Sequence, residues 1–501
     1  MRHFLIVLVL VSGMTSLALE MCAERLMEPY FGTSLIVWAS LIGLILLYLT
    51  IGYLVGGRIA DRYPSEQVLC ILTAAAALAT SLIPLVSQGI LNWSVTGLAQ
   101  VSVSIFLSSL VGTILLFAVP VTLLGIVSPF AIRLLTKDIT RSGRSSGSLY
   151  AISTFGSILG AFLPVLWLIP TFGVRRTLLI FGMLLFAASL WGLRPLWRPS
   201  FLLVVVAVLL PLGPLKDIPH LIYDKESYYN YIQVVQETDG TRELILNEGQ
   251  AIHSVYYADP NTVLTGWYWD YFLAAPYFNV GFTPNKLHRV GIIGLAGGTI
   301  AHQFTKVYGP VAIDGVEIDP TIVDVGRQYF GMNEPNLHVH VEDGRTYLAT
   351  TQEKYDVVAV DAYQQPYIPF QLTTREFFTS IRSHLSAQGV VAINTGHTTH
   401  DFRLVQAFVN TMSQVFPSVY VFNVPGTFNT EVMGTMQRTS IDTFRSNLAN
   451  FPPTTVMGQV ASEVVPVVTQ GRPDGGLVFS DDRAPIEQIT DQLLLNYIQQ
   501  P

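Results

Sequence analysis

Four groups of residues in the C-terminal half are of types and spacings that could do chemistry together. Gly294-Leu295-Ala296-Gly297-Gly298 is a glycine-rich turn, Glu317 lies 23 positions beyond Gly294, and Asp343 and Asp361 follow. Glycines let a ligand approach the backbone, and an acid about 20 residues further on can take two ribose hydroxyls. That pair alone marks any adenosine-containing cofactor, NAD and S-adenosylmethionine derivatives alike. The turn lacks full GxGxxG spacing, which lowers the dinucleotide option. Asp343 is placed to bind an adenine amino group, so an adenosine ligand without pyrophosphate fits better than NAD. Asp361 faces the reacting end of such a ligand, where an ionised carboxylate can attract an amine and accept its proton. The competing reading makes Glu317 and Asp361 plain helix caps.

These side chains need a parallel sheet to hold them. From Arg289 the pattern predicts a buried strand Val290–Ile293, the glycine turn, and a helix Thr299–Tyr308 that the turn opens. A second strand, Ala312–Val316, ends in Glu317-Ile318-Asp319-Pro320. Strands Leu337–Val341, Tyr355–Val360 and Val390–Asn394 follow, with a helix at Thr373–Leu385 before the last. Such alternation builds an open parallel sheet, and ligands bind outside the carboxyl ends of its strands. Upstream, Tyr231–Val235 and Glu243–Leu246 flank Asp239-Gly240, a strong hairpin turn, so a small β domain precedes the main one.

The chemistry of the chain changes near residue 213. Before it stand 12 Lys/Arg and 6 Asp/Glu among long apolar runs; after it, 16 Lys/Arg and 29 Asp/Glu. A membrane half is therefore joined to an acidic soluble half. Spans of the length a bilayer needs are expected at Phe4–Leu19, Thr33–Leu54, Val68–Val86, Val101–Leu134, Leu149–Leu168 and Thr177–Leu193, with a shorter seventh at Phe201–Leu212. Val101–Leu134 is long for one straight crossing, so tilt or a kink at Pro120 is expected. Arg2, Arg58, Arg62, Arg133, Lys137, Arg141, Arg144, Arg194 and Arg198 fall on one face if the N-terminus is cytoplasmic; Arg175 and Arg176 oppose that assignment. Six spans leave the soluble half in the cytoplasm, whereas a seventh puts it outside. Gly156 and Gly160 form a small-xxx-small pair suited to close helix packing. Two cysteines, Cys22 and Cys70, exclude a disulfide framework, and the acidic soluble half argues against nucleic acid.

Taken as a set, several segments resemble the spermidine synthase (polyamine aminopropyltransferase) family in its membrane-fused bacterial form. Glu226-Ser227-Tyr228-Tyr229-Asn230-Tyr231-Ile232 and Leu244-Ile245-Leu246-Asn247-Glu248-Gly249-Gln250 are similar to parts of its β domain. Val316-Glu317-Ile318-Asp319, Glu342-Asp343-Gly344-Arg345 and the strand ending in Asp361 resemble its nucleoside and catalytic motifs. Thr374-Arg375-Glu376-Phe377-Phe378 is similar to the helix after its catalytic loop. Gly147-Ser148-Leu149-Tyr150 and Ser480-Asp481-Asp482-Arg483-Ala484-Pro485 resemble segments of membrane-fused members. The resemblance implies a transmembrane domain at 1–213, a small β domain with its connection at 214–285, and a Rossmann-like, methyltransferase-type domain at 286–501. It implies decarboxylated S-adenosylmethionine as donor, with Gly294, Gly297, Gly298, Glu317 and Asp343 holding the nucleoside and Asp361 activating an acceptor amine such as putrescine. No metal is required, because a sulfonium is already a good leaving group.

The chain also departs from that pattern. The family's glycine turn usually carries an Asp, absent here, and the second acid of its catalytic loop is Gln364. An acidic pair near the end of the β domain is replaced around Gly266-Trp267-Tyr268-Trp269-Asp270. Acceptor binding is therefore expected to fall to Tyr229, Asp270 and Gln364, with Glu226 assisting and Tyr228, Trp267, Tyr268, Trp269 and Tyr363 available for cation–π contacts. Two alternatives keep the nucleoside site: methyl transfer from S-adenosylmethionine to a small or membrane-borne acceptor, and a non-catalytic nucleoside or polyamine sensor coupled to the helices. The expected partners are a small amine and the lipid bilayer of a bacterial cell membrane, with a homodimer left open.

Overall fold

The computed structural model describes residues 2–31, 35–99, 105–135, 142–193, 209–210, 212–247, 251–364 and 366–498. The expected seventh span at Phe201–Leu212 falls almost entirely outside the described residues, as do Lys137, Arg141, Arg194, Arg198 and Glu248-Gly249-Gln250. The chain divides into two compact units, residues 1–219 with 224–231, and residues 220–223 with 232–501.

Among the described residues, the first unit is built on six long helices, α1 (Arg2–Phe31), α2 (Leu35–Arg62), α3 (Glu66–Ala99), α4 (Ile105–Leu135), α5 (Ser142–Leu163) and α6 (Val174–Leu193). Each contains or begins a stretch long and apolar enough to cross a membrane, the fifth running on through a π-helical turn to Phe172. Their apolar character on all sides is what lipid demands of a spanning helix. Pro120 and Pro129 both lie inside α4. Gly156 and Gly160 seat α5 on α1, because a Cβ at either position would come within 2.1 Å of a carbonyl oxygen, of Leu10 or Met14. Only hydrogen fits there. Gly52 of α2 meets α4 in the same way, with a Cβ landing 2.3 Å from Thr122 O.

Most of the second unit is a sheet-based fold. Strands β1 (Leu221–Glu226), β2 (Tyr231–Gln236), β3 (Arg242–Leu246) and β4 (Ile252–Tyr256) form a four-stranded sheet in that order. The β2–β3 hairpin turns at Gly240, whose φ of +87° suits glycine. Ile232, Val234, Leu244 and Leu246 bury against Ile322, Val325 and Phe330, around the helix Pro320–Tyr329. The larger sheet has eight strands, with β5 (Arg289–Ile293), β6 (Ala312–Glu317), β7 (Leu337–Val341), β8 (Tyr355–Val360) and β9 (Leu385–Gly396) parallel. Strands β10 (Ser418–Asn423), β11 (Asn429–Thr435) and β12 (Val468–Gln470) extend it with antiparallel pairings, giving the order β12-β10-β11-β9-β8-β5-β6-β7.

That order explains where a ligand belongs. The chain runs outward from β5 through β6 to β7, then returns to place β8 on the other side of β5. Connections thus diverge between β5 and β8, leaving a crevice at their carboxyl ends. Gly294 follows β5 and Asp361 follows β8, so the turn and the proposed acid flank that crevice. The architecture is six long apolar helices followed by an α/β unit with a mostly parallel sheet.

Candidate active site

The glycine turn is held by its neighbours. Backbone N–H groups of Gly294 and Leu295 donate to Val316 O at 3.0 and 3.1 Å, and Gly297 N donates to Ser254 Oγ of β4 at 2.8 Å. Gly294 sits at φ +88°, and a Cβ there would lie 2.5 Å from Asp361 O. Glycine is needed twice over, for conformation and for room. Ala296 N donates to Glu317 Oε2 at 2.9 Å, and Asp319 N to Oε1 at 3.1 Å. Glu317 thereby sits between the turn and its own loop, 7% exposed. Burial pushes its carboxyl up to about 7, although both N–H bonds favour the charged form. The cap of helix Pro320–Tyr329 is Asp319, through Thr321 N at 2.9 Å. Glu317 is left for another role.

Asp343 does cap a helix. Its Oδ1 accepts from the N–H groups of Arg345 and Thr346 at 2.9 and 3.0 Å, starting Gly344–Thr350 at the tip of β7. Arg345 in turn pairs with Asp481, which also accepts from Thr374 Oγ1 at 2.7 Å. Three segments far apart in sequence are thus tied together at the tip of β7.

Asp361 is gripped by side chains rather than by a helix end. Its Oδ2 accepts from Tyr268 Oη at 3.1 Å and Trp269 Nε1 at 3.0 Å, and its Oδ1 from Asn394 Nδ2 at 3.0 Å. Burial raises its carboxyl to about 6, against the pull of those three donors. Asp361 and Glu317 thus both titrate nearer neutrality than ordinary acids. Perturbed acids in a crevice mark a functional site more often than a structural one.

Asp270 explains how Tyr268 and Trp269 reach Asp361. Fully buried, it accepts from Thr265 N and Gly266 N at 2.9 and 2.8 Å, and from Gln303 Nε2 at 2.5 Å. Its oxygens lock the loop that carries the two aromatic rings. Gln364 is exposed and forms a bridge with Tyr367. Tyr229 belongs to the first unit, as does Glu226, whose carboxylate takes the Val174 N–H at the start of α6 at 2.9 and 3.0 Å. Burial raises Glu226 to about 7.

Two residues beside Asp361 are not read from sequence. Asn394 comes from β9. Glu431, in the middle of β11, is paired in register with Asn394 and is 0% exposed. Burial holds its carboxyl well above the usual carboxylate range, and the charge of Asp361 adds to that. An acid inside the apolar run Val432-Met433 is the only sequence mark of it; register alone places it near Asp361.

The C-terminal half of the chain is similar to known proteins. Residues 279–445 match the model of the spermine/spermidine synthase domain. A probable polyamine aminopropyl transferase of Bifidobacterium longum (strain NCC 2705) is 34% identical over 288 residues, covering 54% of this chain and 62% of that protein. A polyamine aminopropyltransferase of Vibrio vulnificus (strain CMCP6) is 30% identical over 215 residues, 41% of this chain and 68% of that one. The chain thus spans under two thirds of the first relative's length. A solved structure, a probable spermidine synthase from Corynebacterium glutamicum ATCC 13032, is 20% identical with a TM-score of 0.40, covering 51% of this chain and 96% of that one. With the glycine turn, Glu317, Asp343 and Asp361 all inside the matched region, the chain belongs to the spermidine synthase (polyamine aminopropyltransferase) family.

Proposed function

We propose that the second unit transfers an aminopropyl group from decarboxylated S-adenosylmethionine to a small primary amine such as putrescine, and that the six helices hold it at a bacterial cell membrane. The observation that carries this reading is Asp361, fixed by three donors across the β5–β8 crevice from the turn that cradles Glu317. Glu317 binds the ribose hydroxyls, Asp343 the adenine edge, and the glycine turn lets the nucleoside lie against the backbone. Asp361 draws in the acceptor as its ammonium and takes one proton from it. The freed nitrogen lone pair then attacks the aminopropyl carbon next to sulfur. A C–N bond forms, the C–S bond breaks, and its electron pair neutralises the sulfonium, leaving methylthioadenosine. A base near 6 is ionised at neutral pH yet closer to the working pH than an ordinary Asp. The fixed orientation of Asp361 supplies the rest by positioning.

Full-length protein in detergent, given decarboxylated S-adenosylmethionine and putrescine, should release methylthioadenosine and an aminopropylated amine in equal amounts. Absence of a nucleoside product with every amine offered defeats the reading. S-adenosylmethionine in place of the decarboxylated donor tests the methyl-transfer alternative in the same assay.

A further inference from the structure

Beside Asp361 the second unit buries a carboxylate that this reaction scheme leaves idle. Glu431 is 0% exposed, and neither Oε1 nor Oε2 has a hydrogen-bond partner. It stands opposite Asn394 in the β9–β11 register, and directly opposed residues send their side chains to the same face. The Asn394 amide nitrogen is committed to Asp361, so its Oδ1 turns elsewhere, and that oxygen too is buried without a donor. Three acceptor atoms on neighbouring strands therefore lack protein donors, next to the one acid that the chemistry requires. Burying an unpaired carboxylate is costly, and folded proteins rarely leave such groups unmatched. Apolar Val432 and Met433 continue β11 without help, so the strand does not need an acid for pairing.

The missing partner is defined by what these atoms lack. A primary ammonium brings three N–H donors, a positive charge and no acceptor. Among the described residues, no group of three or more His, Cys, Asp or Glu stands where it could hold a metal ion. We propose that Glu431, with Asn394 Oδ1 beside it, is an ammonium subsite that holds the terminal –NH3⁺ of an alkylamine chain extending past Asp361. The subsite rests on the aminopropyl-transfer reading and deepens it. It returns from β11 the carboxylate that is missing at Gln364, so the charge count of the pocket is restored from a different strand. The ammonium belongs either to the aminopropyl arm of the donor or to the far end of a diamine acceptor. If it belongs to the donor arm, an α-carboxylate in that corner is repelled, which disfavours S-adenosylmethionine itself.

The test uses full-length protein carrying Glu431→Gln, with Glu431→Asp as a second variant that keeps the charge and shortens its reach. Binding of decarboxylated S-adenosylmethionine and of methylthioadenosine, which lacks the arm, is measured by calorimetry. KM is measured for 1,4-diaminobutane and 1-aminobutane. If the subsite takes the donor arm, E431Q loses about 10-fold or more in affinity for the decarboxylated donor and none for methylthioadenosine. If it takes the acceptor, KM for the diamine rises by about 10-fold or more and that for the monoamine does not. Where E431Q is not recovered folded, the Asp variant shows the same selectivity in weaker form. Unchanged donor affinity and diamine KM in a folded E431Q overturn the subsite, since an idle neutral acid leaves both as they are. Wild-type protein that binds the donor without turnover sinks the transferase reading instead, while the donor-binding comparison still decides the subsite.

Discussion

At the scale of single residues, the site depends on acids kept close to neutrality by burial. Asp361 is expected to matter for turnover rather than for holding the nucleoside, because its three bonds are made by the protein itself. Asp361→Asn should lower kcat by about 10²- to 10⁴-fold, the usual range for a lost general base, while methylthioadenosine affinity measured by calorimetry stays within about threefold. Glu317 predicts two opposite pH effects. Its folded carboxyl titrates near 7 against an ordinary 4.5, so the native state holds the proton more tightly than the unfolded chain does. Its contribution to stability is therefore full below about pH 4.5 and is lost as pH rises through about 7, roughly 3 kcal/mol in all. On the proposed reading, ribose binding needs the charged form and gains over the same interval. Melting temperature of Glu317→Gln should accordingly depend less on pH between 5 and 7 than that of the wild type, and nucleoside affinity of the wild type should rise across that window. A wild type and variant with parallel pH curves would show that Glu317 is not the titrating group.

At the scale of elements, glycines decide how closely backbones approach. The turn after β5 has its first residue at φ +88° with Asp361 O where a Cβ would be. Gly294→Ala should cost about 1–3 kcal/mol, seen as a lower melting temperature, and should weaken nucleoside and turnover together because the β5 and β8 tips are pushed apart. In the first unit, Gly160 lets α5 touch the α1 backbone at Met14. Gly160→Leu should loosen that pair and lower the thermal stability of the detergent-purified protein, whereas a leucine at Gly57, which has open space around its Cβ position, should be tolerated. Equal effects at the two positions would mean that the α1–α5 contact is not what holds the helices.

At the scale of the whole molecule, Arg58, Arg62 and Arg133 mark one end of the six long apolar helices described, and residues 214–219 and 224–231 pack at the other, through Tyr30 Oη on Leu215 O at 3.0 Å and Glu226 on the Val174 N–H. Protease access in sealed vesicles of known orientation decides which face carries the C-terminal half: with the Arg58 end in the cytoplasm, cleavage is expected in right-side-out vesicles and protection in inside-out ones. Much of this organisation was legible in the sequence. Apolar length marked the helices, period-two alternation with glycine turns marked β2, β3 and the parallel strands, and Thr299–Tyr308, Leu337–Val341 and Tyr355–Val360 were readable to the residue. The positions of Gly294, Glu317, Asp343 and Asp361 at consecutive strand tips were legible, because spacing along the chain reveals where strands end. The antiparallel extension by β10, β11 and β12 was not, since the Pro425-Gly426 turn joins β10 to β11 but nothing local says that β11 pairs with β9. For the same reason the sequence offered Asp270 and Gln364 as acceptor groups without showing that Asp270 spends its oxygens on its own loop. The sequence by itself determined which elements form and which acids stand at their ends, because periodicity and turn chemistry are local. Only the tertiary structure brought Tyr268, Trp269, Asn394 and Glu431 around Asp361, because strand order and register are set by packing between residues far apart in the chain.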